Sequence, residues 1–151
     1  MAGSTKQRRM RVVERWLLNP LPRFLLQLGL APKAFALLET VGRRSGLPRH
    51  TPVGGHLDGN TYWLVSEHGE GSSYARNLLA NPAVRIKVGR GWRSGTATLL
   101  PGDDGFARRR DIDRANGIIG RLDGLLFKLG ATRPATIRID LEPDRRAPRP
   151  Q

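Results

Sequence analysis

The sequence predicts a small α+β domain built on a barrel of six mostly antiparallel β-strands. Three observations lead there. Six short segments carry the β-branched, aromatic and alternating pattern of strands. Most of them are joined by turns too short to hold a crossover helix, which leaves antiparallel pairing. The chain has 151 residues, 38% of them hydrophobic, enough for one core that buries roughly 70% of the unfolded surface. Closure into a barrel removes the exposed edges that six short strands would otherwise present.

Residues 1–30 read as a basic N-terminal segment. Met1 to Arg11 is polar, with four cations between Lys6 and Arg11, and is expected to be disordered. Val12, Val13, Trp16 and Leu17 then share a helical face, and Asn19-Pro20 stops the turn. Pro22 opens a second short helix in which Phe24, Leu25 and Leu28 form a stripe, with Gly29 as its stop. Two roles fit this pattern: helices docked on the core, or an interfacial segment in which residues 8–30 meet an anionic membrane surface.

From Ala34 the period becomes that of strands: Phe35–Val41, Arg49–Leu57, Thr61–Ser66, Val84–Val88, Trp92–Leu100 and Thr136–Leu141. Asp58-Gly59-Asn60 and Gly89-Arg90-Gly91 are hairpin signals. Two helical insertions are predicted. Ser72 or Ser73 caps a helix over Tyr74–Ala80 that ends at Asn81-Pro82. Farther on, a charged stretch from Asp103 to Arg114 precedes an apolar stripe of Ile118, Ile119, Leu122, Leu125, Leu126 and Leu129, ending at Gly130. That stripe is expected to cover the core. The barrel domain is placed at 31–142 and a solvated, Pro- and Arg-rich tail at 143–151.

Composition narrows the chemistry. With no cysteine, disulfides, cysteine-ligated zinc, iron–sulfur clusters and thiol nucleophiles are excluded. No apolar run approaches the roughly 18 residues of a membrane span, and no secretory h-region follows the N-terminus, so a cytoplasmic location is expected, with peripheral attachment to the inner face of the membrane as the alternative. The formal charge is +13. Nucleic acid, an anionic membrane and a polyanionic small molecule all suit such a field. Phe35, Tyr62, Trp63 and Trp92 are too sparse for a stacking platform, so no specific nucleic-acid partner is expected, although a basic nucleic-acid-binding barrel stays among the alternatives.

The densest local cluster is Gly42-Arg43-Arg44-Ser45-Gly46-Leu47-Pro48-Arg49, between the first two strands. Its glycines permit a tight turn with amides open to an anion, and its arginines supply forked donors for phosphate or carboxylate oxygens. A Walker loop is ruled out, because no Gly-Lys-Ser/Thr and no helix follow. His50 and His56 lie six residues apart on one strand, but without a carboxylate partner no metal site is expected.

The run from Leu37 to Val53 containing this cluster, followed by Asp58-Gly59-Asn60, a strand ending at Ser66, Arg76-Asn77-Leu78 and Ala80-Asn81-Pro82-Ala83-Val84, resembles the deazaflavin-dependent nitroreductase and quinone reductase family. These are small actinobacterial and archaeal proteins, and the likeness spans residues 34–101. It implies a split β-barrel of the flavin-reductase type. The implied cofactor is coenzyme F-420, an 8-hydroxy-5-deazaflavin with a phosphodiester and a polyglutamate tail. The implied activity is an oxidoreductase that passes hydride from the reduced coenzyme to a small-molecule electron acceptor: a quinone, an enone or a nitro compound.

By the same resemblance Arg43, Arg44, Ser45 and Arg49 would hold the anionic tail, and Thr51, Pro52 and Val53 would run beside the ring. Ser66 would stand near its reactive edge, with Glu67, Tyr74, Arg76 and Asn77 completing the coenzyme site. The sequence departs from the family where Glu67 and His68 replace its lysine, and where no tyrosine follows Tyr74. A carboxylate at Glu67 would repel the tail unless it points away. His68, two residues beyond Ser66, is the candidate proton donor to substrate beside Ser66. The remaining alternatives are a coenzyme carrier or membrane-surface module without turnover, and a flavin or haem barrel.

Overall fold

Each predicted strand forms, and together they close on themselves. The computed structural model describes residues 34–144. The predicted N-terminal helices over 12–28 and the tail beyond 144 lie outside the described residues. The strands are β1 (Phe35–Val41), β2 (Pro48–Asp58), β3 (Thr61–Ser66), β4 (Ala83–Val88), β5 (Gly91–Leu100) and β6 (Ala135–Leu141). They form a closed barrel in the order β1-β2-β3-β6-β5-β4, with β1 also pairing β4. Every pair is antiparallel.

Local turn chemistry sets the register. Asp58 pairs with Thr61 across a two-residue loop whose first residue, Gly59, has φ +58. Val88 pairs with Gly91 across Gly89-Arg90, again with a left-handed glycine first, Gly89 at φ +68. A residue with a Cβ would be strained at either position, and a left-handed first residue matches the strong twist of a hairpin.

The inward faces of the strands make the core: Ala36, Leu38, Val53, Tyr62, Leu64, Val84, Ile86, Ala97, Ile137 and Ile139 are all buried, with Ala75 and Leu78 added from a helix. That helix, α1 (Ser73–Ala80), follows a 3₁₀ turn, Gly69–Gly71. The Tyr62 ring lies so close to Gly55 that a Cβ there would sit 2.6 Å from Tyr62 Cε1 and 2.4 Å from the Trp63 carbonyl.

The second predicted insertion resolves into two helices, α2 (Gly105–Ala115) and α3 (Gly117–Gly130), broken at Asn116-Gly117 where Gly117 has φ +66. Asp104 caps α2, its carboxylate accepting from the amides of Phe106 and Ala107. Val65 from the outer face of β3 packs with Ile112 and Phe127 as a small second core. Between α2 and α3 lies a part-buried ion cluster around the buried Arg109, which donates to Asp113 at 2.8 Å, also to Asp123, and stacks 4.5 Å over the Phe127 ring.

This arrangement overturns the expected burial of α3. The stripe Ile118, Ile119, Leu122, Leu125, Leu126 and Leu129 is exposed, and the helix turns Gly120, Gly124 and Phe127 inward. The cause is steric and electrostatic. A Cβ at Gly124 would stand 2.1 Å from an Asp113 carboxylate oxygen, and one at Gly120 would stand 2.3 Å from the Asp113 carbonyl. Only the glycine face approaches α2 closely enough for Asp123 to reach Arg109, so the leucines point outward.

Candidate functional site

Loop 42–47 is a closed turn. Gly42 N–H donates to the Leu47 carbonyl and Gly46 N–H to the Gly42 carbonyl, both at 2.8 Å, and Leu47 N–H donates to Ser45 Oγ at 3.2 Å. The Arg43 amide donates to Asn77 Oδ1 at 3.2 Å. Four amides are thus consumed inside the protein, which narrows the expected amide cradle and leaves the side chains as the larger part of what the loop offers an anion. Arg43, Arg44 and Ser45 are exposed on it, and Arg49 is exposed just beyond it at the start of β2.

Asn77 ties this loop to α1. Its Oδ1 also accepts from Arg43 Nη1 at 3.0 Å, and its Nδ2 donates to the buried Thr40 hydroxyl at 3.1 Å. Arg43 Nη1 reaches the Ser73 carbonyl as well, at 3.4 Å. An amide in the middle of α1 therefore fixes the root of the arginine loop to β1. Arg76, on the exposed side of the same helix, donates Nε to the Glu70 carbonyl at 3.1 Å. On β2, Val53 is in the core, while Thr51 and Pro52 are half-buried.

A second cluster lies at the N-terminus of α1. Ser66 is fully buried, its Oγ donating to the Gly69 carbonyl at 3.0 Å and bonded to Ser72 Oγ at 2.7 Å. Ser72 precedes the helix as expected, but its hydroxyl serves Ser66 and makes no bond to a helix amide. Tyr74 belongs to the same hydroxyl group: burial pushes its phenol up to about 12, opposed by bonds from Ser66 and Ser72. The phenol is thus protonated, a donor, throughout the neutral range.

Glu67 and His68 turn elsewhere. Glu67 Oε2 lies beside Gly130 at the end of α3, where a Cβ would stand 3.5 Å from it, and the Glu67 carbonyl accepts from the amides of Thr132 and Arg133. Burial raises its carboxyl above the usual range, with His68 and Arg109 pulling it back. These are different elements from those that Arg43 contacts. His68 is exposed, with Nδ1 3.0 Å from Thr132 Oγ1. Its partner Thr132 carried no signal in the sequence, because the pairing spans a whole helical insertion.

The two strand histidines have structural partners. His50 Nε2 is 2.7 Å from Glu39 Oε2; Arg85 bonds the other Glu39 oxygen at 3.3 Å and lies 5.0 Å over Trp92. His56 Nδ1 is 3.2 Å from Asn116 Oδ1, and Asn116 Nδ2 donates to the Gly55 carbonyl, pinning the α2–α3 break to β2.

A closed antiparallel barrel bearing an arginine-rich loop locked to a short helix defines a split-barrel protein of the flavin-reductase class. Among solved structures the chain is similar to an F420 reductase, with 21% identity over 80% of this chain and 93% of that one at TM-score 0.53. It is also similar to HutZ, the haem storage protein of Vibrio cholerae, with 17% identity over 85% and 92% at TM-score 0.52. A domain-swapped dimer matches with 20% identity over 83% and 98% at TM-score 0.53. At these identities the likenesses concern the fold alone. No curated protein matches the chain. The sequence model of the F420H(2)-dependent quinone reductase family matches residues 26–118, and the chain belongs to that family. It is an F420-dependent reductase, with coenzyme F-420 as cofactor.

The donor set fits that coenzyme. A phosphodiester and several carboxylates call for exposed guanidinium groups on a fixed backbone; Arg43 and Arg44 stand on the anchored loop and Arg49 on the strand that leaves it.

Proposed function

We propose that the protein reduces a quinone with coenzyme F-420, holding the coenzyme tail on loop 43–49 and its ring along β2 toward the start of α1. The observation that carries this reading is the Asn77–Arg43 lock, which presents two arginines from the loop and a third, Arg49, from the start of β2. When bound, the reduced coenzyme supplies hydride; the protein supplies binding, orientation and electrostatics.

In this reading Arg43, Arg44, Ser45 and Arg49 bind phosphate and carboxylate oxygens, with Arg76 at the exposed side of α1. Thr51, Pro52 and Val53 flank the ring. Ser66 acts as a positioning residue: its buried hydroxyl holds the Gly69 turn and Ser72, which fixes the entry to α1 and the Tyr74 phenol. Glu67 does not oppose the tail, because its carboxylate is drawn toward the end of α3. His68 delivers the proton. Its Nδ1 is oriented by Thr132, which leaves Nε2 to protonate the quinone oxygen as hydride reaches the acceptor: quinone and hydride give the quinolate monoanion, and the one proton from His68 gives the quinol. Residues 8–30 are proposed to rest on an anionic membrane surface at the cytoplasmic side, where long-chain quinones reside.

Titration of coenzyme fluorescence with the purified protein, followed by turnover with a short-chain naphthoquinone, tests the proposal. Saturable binding at micromolar protein and oxidation of reduced coenzyme are expected. Binding without oxidation would identify a coenzyme carrier, and no binding would refute the site.

A further inference from the structure

We propose that the outward face of α3 is a docking surface for an anionic lipid bilayer. Six large aliphatic residues occupy it: Ile118, Ile119, Leu122, Leu125, Leu126 and Leu129, between 39% and 76% exposed. At 3.6 residues per turn they span an arc of roughly 120°, with no acidic residue inside it. Arg121 and Lys128 are exposed along one margin of the arc, and the one acidic residue of the helix, Asp123, borders the other margin, half-buried and paired with Arg109. An apolar face with free cations along one margin, whose bordering acid is neutralised by Arg109, matches the boundary between acyl chains and anionic headgroups. It does not match an acidic protein partner, which would need cations within the face.

The neighbouring cleft between α2 and α3 points the same way. It holds about 320 Å³, is walled by Phe106 and Phe127, and carries Arg110 and Lys128 among its lining residues. The lining also holds Asp113, whose carboxylate is paired with Arg109, so an acyl chain would lie against the aromatic walls and a phosphate at Arg110 and Lys128. The helix has 14 residues, about 21 Å of rise, too short for a hydrocarbon core of roughly 30 Å, so it would lie in the plane of the interface. No helix among the described residues is long and apolar enough to cross a membrane.

The position of α3 links this face to the site. Its C-terminal Gly130 lies against Glu67, the residue after Ser66, and Thr132 just beyond holds His68. A lipid-seated α3 would therefore set the His68 side of the pocket at the interface. This consequence for acceptor delivery rests on the quinone reading, whereas the docking itself does not.

The chain has no cysteine, so Leu125→Cys accepts one environment-sensitive fluorophore in the full-length protein, with Arg90→Cys at the β4–β5 turn as control. Vesicles of equal parts phosphatidylglycerol and phosphatidylcholine are expected to shift the Leu125→Cys label to the blue and leave the Arg90→Cys label unchanged. Pure phosphatidylcholine should do much less. Leu122→Glu with Leu126→Glu, at exposed positions, should cut vesicle partitioning by roughly tenfold or more, and Arg121→Gln or Lys128→Gln by roughly fivefold per charge. A label unmoved by vesicles overturns the proposal. So does one already blue before lipid is added: if independent of protein concentration it means cover by residues 1–33, and if dependent on concentration it means a second copy. Coenzyme titration without vesicles reports separately on the reductase reading.

Discussion

Asn77 Oδ1 accepts both the backbone N–H and Nη1 of Arg43, at 3.2 and 3.0 Å, while its Nδ2 donates to the buried hydroxyl of Thr40. One side chain thus joins α1, β1 and the arginine loop. Replacing it by leucine keeps the volume but strands the Thr40 hydroxyl and releases the loop. Asn77→Leu is expected to lose about 1–3 kcal/mol of stability and to weaken coenzyme binding several-fold, read by denaturant unfolding and fluorescence titration. Unchanged binding in a folded variant would detach the lock from the coenzyme.

Arg44 and Arg49 are exposed and carry no part of the core. Charge reversal at either one should weaken coenzyme binding by roughly tenfold, the scale of one charge-assisted contact, while the unfolding midpoint stays close to that of the parent. The loss should shrink as salt is raised. If affinity is indifferent to both reversals, the tail lies elsewhere.

Ser66 separates structure from chemistry. Its hydroxyl serves the Gly69 carbonyl and Ser72, so Ser66→Ala should destabilise by about 1–3 kcal/mol through the unpaired partners. As a positioning residue it should raise KM for the coenzyme more than it lowers kcat. A collapse of kcat at unchanged KM would instead place the hydroxyl against the reacting atoms.

The cluster of Arg109 with Asp113 and Asp123 is the cornerstone of the α2–α3 pair. Arg109→Leu leaves two carboxylates facing each other without their cation. Because both carboxylates keep some contact with water, a loss of about 1–3 kcal/mol is expected, measured by urea unfolding; Asp113→Asn with Arg109→Leu should recover part of it.

Acid unfolding should report on Asp103. Hydrogen bonds from Arg108 and then Thr136 hold its carboxyl below the usual range. The folded pKa lies under the unfolded one, so this stabilisation is complete above the unfolded value of about 3.9 and is lost as pH falls through the lower folded value. Glu67 and Asp113, raised chiefly by burial, act with the opposite sign, holding protons more tightly when folded. Comparing Asp103→Asn with the parent between pH 2 and 5 isolates the first effect: the gap in stability should narrow toward the acid end, and a constant gap would disprove the assignment.

The strands were legible because each is specified by its neighbours in sequence. β1 and β3 coincide with the predicted spans, β4, β5 and β6 begin one residue earlier, and β2 is longer by one residue at each end. The arginine loop stood out for the same reason, as Gly42 and Gly46 bracket its charges within a few positions. The partners of that loop were not legible. Asn77 lies 34 residues from Arg43, and Thr132 lies 64 from His68; nothing local couples them.

By itself, then, the sequence determined the barrel, its hairpins and the family motif, since period-two alternation and turn chemistry act over a few residues. Tertiary structure alone decided which face of α3 is buried and which way Glu67 points. A stripe of leucines predicts an inward face only when nothing competes for the contact. Here Gly120 and Gly124 allow a close approach to Asp113 that a branched side chain would block, the Arg109 ion cluster closes only in that orientation, and the leucines are left facing outward.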